Sequence, residues 1–173
     1  METNKSIQDI RDEKRRIRKE VLLKRASLPI EQRKLSDLVM ADRIIGHQWF
    51  YRADVVLGFV NYDSEISTQE ILKEALLKGK RLFLPKVEGE NMQFYHIDSL
   101  EDLIKGYKGI LEPKGDTEVF QYNQYADENM LLLMPGVAFD IYRNRMGYGK
   151  GFYDRFLADK ERLQTYSIGI GYK

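Results

Sequence analysis

The sequence predicts an α/β fold: a single three-layer α/β/α domain over residues 1–173 with a mainly parallel, Rossmann-like sheet. Three observations carry this expectation. Apolar runs of strand length recur in "ADVVLGFVN" (53–61), "RLFLPKV" (81–87) and "MLLLMPGVAFD" (130–140), as in strands buried on both faces of a parallel sheet. Segments of helical periodicity lie between them, and that alternation favours parallel crossovers. No repeat, low-complexity stretch or linker divides the chain.

The elements follow in order. Residues 6–26 read as a helix with a sparse apolar face of Ile10, Ile17, Val21 and Leu22. Ser27-Leu-Pro breaks it, and Ser27 is placed to N-cap a second helix. That helix is expected to run to Trp49, with Leu35, Leu38, Val39, Ile44 and Ile45 inside. After the first strand, Ser67-Thr-Gln-Glu70 has the spacing of a capping box, and Gly79 is placed to end the helix it opens. "RLFLPKV" is the second strand, and the alternating "NMQFYHI" (91–97) a more exposed one. Residues 98–128 are irregular, with a short helix near Leu100. A buried strand from Met130, a helix over "GFYDRFLADKER" (151–162) and a strand in "TYSIGIGY" (165–172) complete the series. Right-handed crossovers bring strand carboxyl ends to one edge, where such sheets bind ligands. "NYDSE", "PKVEGE" and "PGVAFDIYRNRMGYGKG" are expected to gather there.

Composition narrows the chemistry. The chain has 43% hydrophobic and 32% charged residues and a net charge of +1, so an anion site has to be local. It has no cysteine, which excludes disulfides, thiolate metal sites and a cysteine nucleophile. The charged start has no apolar signal core, and no apolar run approaches the roughly 20 residues that span a bilayer. A cytoplasmic protein without membrane contact is expected.

"NRMGYGKGFYDRF" (144–156) is the densest motif. Gly147, Gly149 and Gly151 allow close approach of backbone to a ligand before a helix N-terminus. Arg145 and Lys150 add positive charge, a bidentate fork and a point charge. Asp154 is suited to a Mg²⁺ that bridges phosphates. The loop is not a Walker A motif, because Gly151 follows the lysine where a hydroxyl would be needed. A plain glycine-rich turn accounts for the same residues equally well. In "KRRIRKEVLLKR" (14–25), Lys14 and Arg18 share a helix face and could grip a polyanion, but a solvated charged surface is the simpler account. No nucleic-acid module or aromatic stripe accompanies it. His47 and His96 fall outside every motif and read as structural or surface residues.

"MPGVAFDIYRNRMGYGKGFYDRFL" resembles the signature of the 5-formyltetrahydrofolate cyclo-ligase family, also called 5,10-methenyltetrahydrofolate synthetase. "KRRIR" near the start, "FVNYDSEIST" after the first strand and "RLFLPKV" match the family in order. The resemblance implies conversion of 5-formyltetrahydrofolate, with or without a polyglutamate tail, and ATP to 5,10-methenyltetrahydrofolate, ADP and phosphate. Mg²⁺ is the implied metal, and a monomer without nucleic acid the implied state. It implies catalytic roles for Arg145, Lys150 and Tyr153. ATP would be bound by Lys14, Arg15, Arg16, Ile17 and Arg18, and by the run Arg145, Met146, Gly147, Tyr148, Gly149, Lys150, Gly151, Phe152 and Tyr153. The folate would be held by Arg18, Val60 and Glu65 and by Tyr148 to Phe152, and the metal by Asp154. Family members continue beyond the position of Lys173 with a further strand and a second metal-holding aspartate. The C-terminal end of the family domain is therefore expected to be absent. Another ATP-dependent phosphoryl transferase, or a non-catalytic nucleotide or RNA binder using the basic helix, is the alternative.

Overall fold

The structure is a computed structural model and describes residues 6–158 and 165–172. Helix α1 is Ile7–Ala26. Ser6 caps it: its Oγ accepts the Asp9 N–H, and the Asp9 carboxylate accepts the Ser6 N–H. Ser27 does not cap the next helix. Its N–H instead closes α1 onto the Leu23 carbonyl at 3.0 Å, and α2 (Ile30–Ile45) begins after Pro29. The expected continuation to Trp49 is broken at Gly46. There His47 Nδ1 accepts the Trp49 N–H at 3.1 Å and starts a separate α3 (Gln48–Arg52). The inner face of α2 also differs from expectation. Ala41 and Ile44 are buried and Ile45 packs beside them, whereas Leu35 and Leu38 are each 63% exposed and Val39 is 42% exposed. The helix is apolar on two sides, and only one meets the core.

The remaining elements are β1 (Val55–Leu57), α4 (Gln69–Leu77), β2 (Arg81–Glu88), β3 (Asn91–Ile97), β4 (Ile104–Lys105), β5 (Leu111–Glu112), β6 (Met130–Pro135), β7 (Ala138–Phe139), β8 (Arg145–Met146), α5 (Phe152–Ala158) and β9 (Thr165–Ile170). The short helix expected near Leu100 is a 3-10 turn, Leu100–Asp102. The part of the last expected helix beyond Ala158 lies outside the described residues. Helix α4 ends before Gly79 as expected, but the Ser67–Glu70 capping box does not form. Thr68 holds the N-cap position and spends its hydroxyl on the Phe59 carbonyl at 2.6 Å, which ties the helix start to the chain leaving β1.

The five-stranded sheet has the order β3-β2-β1-β6-β9, all parallel except β3. Strand β3 is more buried than its alternation suggests, because residues 118–120 cover its edge. The His96 N–H donates to the Glu118 carbonyl (2.8 Å) and the Phe120 N–H to that of Phe94 (2.7 Å). Side chains alternate between two cores. Val56, Leu82, Leu84, Leu131 and Leu133 pack against residues of α2, α3 and α4, while Val55, Leu57, Phe83, Met130 and Leu132 cluster with Phe120, Tyr125 and the α5 residues Tyr153 and Phe156. These are the three layers. The strand order runs outward from the β1–β6 pair in both directions, so the loops after β1 and β6 part and leave a crevice. Among the described residues, no helix is long and apolar enough to cross a membrane.

Candidate active site

A cavity of about 310 Å³ opens at the carboxyl ends of the strands. Its walls come from the chain after β1, from β2, and from the loop after β6, so the three expected polar segments do converge.

The loop after β6 is a built structure. β7 and β8 pair as a hairpin. Asp140 accepts the N–H groups of Tyr142 (2.9 Å) and Asn144 (2.8 Å) and the Asn144 side-chain amide (2.8 Å). These bonds hold its carboxyl below the ordinary range, with Asn144 the main cause, and make Asp140 the fastener of the turn. Gly149 and Gly151 have φ of +95° and +69°, a left-handed backbone that strains other residues. The Arg18 guanidinium holds this bend from across the molecule, Nε donating to the Gly147 carbonyl at 2.8 Å.

Charges around the cavity are of two kinds. Arg145 is engaged: it donates to the Pro135 carbonyl (3.2 Å), pairs with Asp154 Oδ1 (2.7 Å) and lies 5.4 Å from the Tyr153 ring centre. Its side chain is 13% exposed while that of Asp154 is 76% exposed. Lys150 lines the same cavity, and its ammonium has no hydrogen bond or ion pair among the described residues. Its carbonyl takes an Arg155 N–H at 2.9 Å, and Arg155 also donates to the Glu90 carbonyl, joining the loop to the β2–β3 turn.

Glu65 stands opposite. Its Oε1 accepts the Tyr148 hydroxyl (2.5 Å) and its Oε2 the Tyr62 N–H (2.8 Å). Burial nevertheless holds its carboxyl above the usual range. Burial, reinforced by Glu65, pushes the Tyr148 phenol far up. The Tyr153 phenol is also pushed up by burial, and its oxygen is buried with no hydrogen-bond partner among the described residues. Val60 and Phe152 complete this part of the wall, with Phe152 edge-on to Tyr107 at 5.8 Å.

Of the residues singled out in the sequence, Arg18, Val60, Glu65, Arg145, Asp154 and the run Gly147 to Tyr153 all line the cavity. Met146 backs it, its carbonyl accepting the Val137 N–H at 2.8 Å. Lys14, Arg15, Arg16 and Ile17 do not reach it; the first three are exposed on α1. Nothing in the sequence motifs marks Arg25, Tyr62, Tyr107, Lys108 or Glu112 as site residues. Arg25 is 7% exposed and bonds Ser64 Oγ (3.0 Å) and Tyr148 Oη (2.8 Å). Lys108, at φ +55°, places its ammonium 5.9 Å from the Tyr62 ring centre and 5.6 Å from that of Tyr107. The only local hint was "GYKG" (106–109), a cation and an aromatic between two glycines.

Residues 10–171 match the 5-formyltetrahydrofolate cyclo-ligase family. The chain belongs to that family. The cyclo-ligase of Escherichia coli K12 is 30% identical over 152 residues, covering 86% of this chain and 81% of the relative. The mouse cyclo-ligase is 26% identical over 168 residues, covering 92% and 82%. The solved Aquifex aeolicus 5,10-methenyltetrahydrofolate synthetase superposes with a TM-score of 0.77 at 33% identity, over 92% of this chain and 77% of that one. A Mycoplasma pneumoniae synthetase superposes at 0.70 with 23% identity, a likeness of fold alone. The resemblance carried by the glycine loop, "KRRIR" and "FVNYDSEIST" therefore holds. This cyclo-ligase family member is an enzyme of the ligase class acting in folate metabolism.

Proposed function

We propose that the cavity joins ATP and 5-formyltetrahydrofolate and releases 5,10-methenyltetrahydrofolate, ADP and phosphate. The observation that carries this reading is one cavity with two unlike walls. The glycine loop offers open backbone beside Lys150, Arg145 and Arg18, and the remainder is largely apolar and aromatic.

A formamide carbon is a poor electrophile. Transfer of the γ-phosphoryl group to the formyl oxygen breaks the bond to ADP and makes that oxygen a leaving group. The N10 lone pair then attacks the carbon, N10 sheds its proton, and phosphate departs with the C–O electrons. Such chemistry needs charge neutralisation and alignment more than a strong base. Lys150 would meet the transferred phosphoryl with a charge held in reserve, and Arg145 would flank it. Met146 to Gly151 would wrap the nucleotide, Arg18 would approach its phosphates from the cavity wall, Lys14 to Ile17 would meet only a part of the nucleotide that extends beyond the cavity, and the Tyr153 hydroxyl would gain a partner in the bound state. Arg18, Val60, Glu65 and Tyr148 to Phe152 would hold the folate.

Mg²⁺ fits in one form only. Among the described residues no group of three His, Cys, Asp or Glu side chains could cage a metal. A single exposed carboxylate suits Mg²⁺, which keeps waters and takes phosphate oxygens. Asp154 would hold the ion, which would supply charge neutralisation on the phosphates.

The test is growth of methenyl-folate absorbance in the near ultraviolet, with and without ATP, over a Mg²⁺ titration. ATP-dependent product supports the reading, and a raised Mg²⁺ requirement in Asp154→Ala supports its role. ATP turnover on other acceptors alone, or salt-sensitive RNA binding without turnover, would overturn it.

A further inference from the structure

Glu112 is a buried carboxylate with no task in the scheme above. It lies on β5 in the cavity wall and is 5% exposed. Among the described residues its side chain makes no hydrogen bond or ion pair. The residue is nearly withdrawn from water while its oxygens are not fully enclosed, so the carboxylate is placed to meet a ligand's donors in the cavity. The fold makes room for it. A Cβ on Gly106 would stand 2.0 Å from Glu112 Oε2, so the carboxylate needs a residue without a side chain beneath it. Pairing of Ile104 with Glu112 fixes the position. Glu65 differs, since each of its oxygens already takes a donor from the protein.

A carboxylate with neither oxygen taken by a donor among the described residues matches two adjacent donors on one edge. The same cavity is lined by Pro85, Met92, Tyr107 and Phe152, which suit a flat ring. Of the two substrates in the proposed reaction, the triphosphate offers only acceptors. Adenine has one amino group flanked by ring acceptors, and the ribose has two adjacent hydroxyl donors but no flat ring to lie against Pro85, Met92, Tyr107 and Phe152. The pteridine has N3–H beside its 2-amino group. We infer that Glu112 accepts the N3–H and 2-amino donors of the pteridine, and so selects 2-amino-4-oxo pteridines and sets their orientation. This rests on the proposed substrate.

The experiment titrates the full chain, by calorimetry without ATP, with 5-formyltetrahydrofolate and with its 2-desamino counterpart. The parent protein is expected to favour the 2-amino compound by at least about tenfold, since an edge built for hydrogen bonds rejects ligands that lack the donors. Glu112→Ala is expected to lose that preference while ATP affinity changes by less than about twofold. Glu112→Gln keeps the shape and one acceptor, and is expected to retain part of the preference; it keeps the test valid if the alanine variant fails to fold. Equal weakening toward both pteridines, or unchanged folate affinity in both variants, would overturn the assignment. The two readings fail separately. Discrimination without methenyl product leaves Glu112 in place and removes the reaction, and product without discrimination does the reverse.

Discussion

In the first half of α1, Arg15 and Arg16 pair, among the described residues, within the helix alone, with Asp12 at 3.6 Å and Glu20 at 3.8 Å, and their side chains are 80% and 69% exposed. In the second half, Arg18 and Arg25 cross to the glycine loop, Arg18 at the Gly147 carbonyl and Arg25 at the Tyr148 hydroxyl. Both halves are basic, yet they do different work. Exposed helical pairs contribute little, about 0.3–0.5 kcal/mol each. A charge bonded to a distant, partly buried partner instead fixes where one segment lies against another. The contrast extends to the loop. Arg145 is held in place, whereas Lys150 has no partner for its ammonium among the described residues. Anchored cations shape the cavity, and unanchored ones are available to an anion.

The largest effect should come from removing an anchor. Arg25→Ala deletes two charge-assisted bonds in a buried setting and is expected to cost about 3 kcal/mol, since each such bond is worth roughly 1.5–3 kcal/mol. Urea unfolding would measure it, with Arg15→Ala as the comparison. Equal stability of the two variants would erase the distinction between the halves. Next comes the reserve charge. Lys150→Ala is expected to lower turnover at least about tenfold, roughly 1.4 kcal/mol in the barrier, with the unfolding midpoint unchanged. Arg145→Ala should lower turnover by a similar factor but also lose stability, because its bonds to Pro135 and Asp154 go with it. Unchanged turnover in folded Lys150→Ala would mean that the unpaired ammonium is only surface charge.

The same contrast explains what the sequence could disclose. The buried strands were legible because a parallel sheet demands apolar residues on both faces, and Val56 and Val55 serve one core each. The glycine loop was legible because its geometry is written in adjacent residues. Arg25 was not, since nothing in "KRRIRKEVLLKR" marks which basic residue turns inward. Helix α2 misled because Leu35 and Leu38 form an apolar stripe as regular as that of Ala41 and Ile44, and only the sheet chooses between them. Thr68 broke the capping rule by taking a tertiary partner, the Phe59 carbonyl. Glu112 depends on a two-residue strand pairing and on Gly106 beneath it, neither of which has a periodic signal.

The smallest effect tests Glu65, where the anchored network and the cavity meet. Burial raises its carboxyl above the ordinary 4.5, against the lowering pull of the Tyr148 and Tyr62 hydrogen bonds and of Arg25. The folded protein therefore holds this proton more tightly than the unfolded chain does. Stability is present below pH 4.5, is lost as pH rises through the folded pKa, and is level above it. Glu65→Gln carries no such proton. Its stability relative to the parent should thus climb across that window and then stay constant, whatever fixed offset the amide introduces. Denaturant midpoints for both proteins from about pH 4 to pH 8 give the slope, the range set by the ordinary carboxyl value. A slope of the opposite sign would mean that Arg25 and Tyr148 outweigh burial. Glu65 would then join the anchored charges that shape the cavity, and would no longer be a carboxylate whose burial leaves it responsive to a bound ligand.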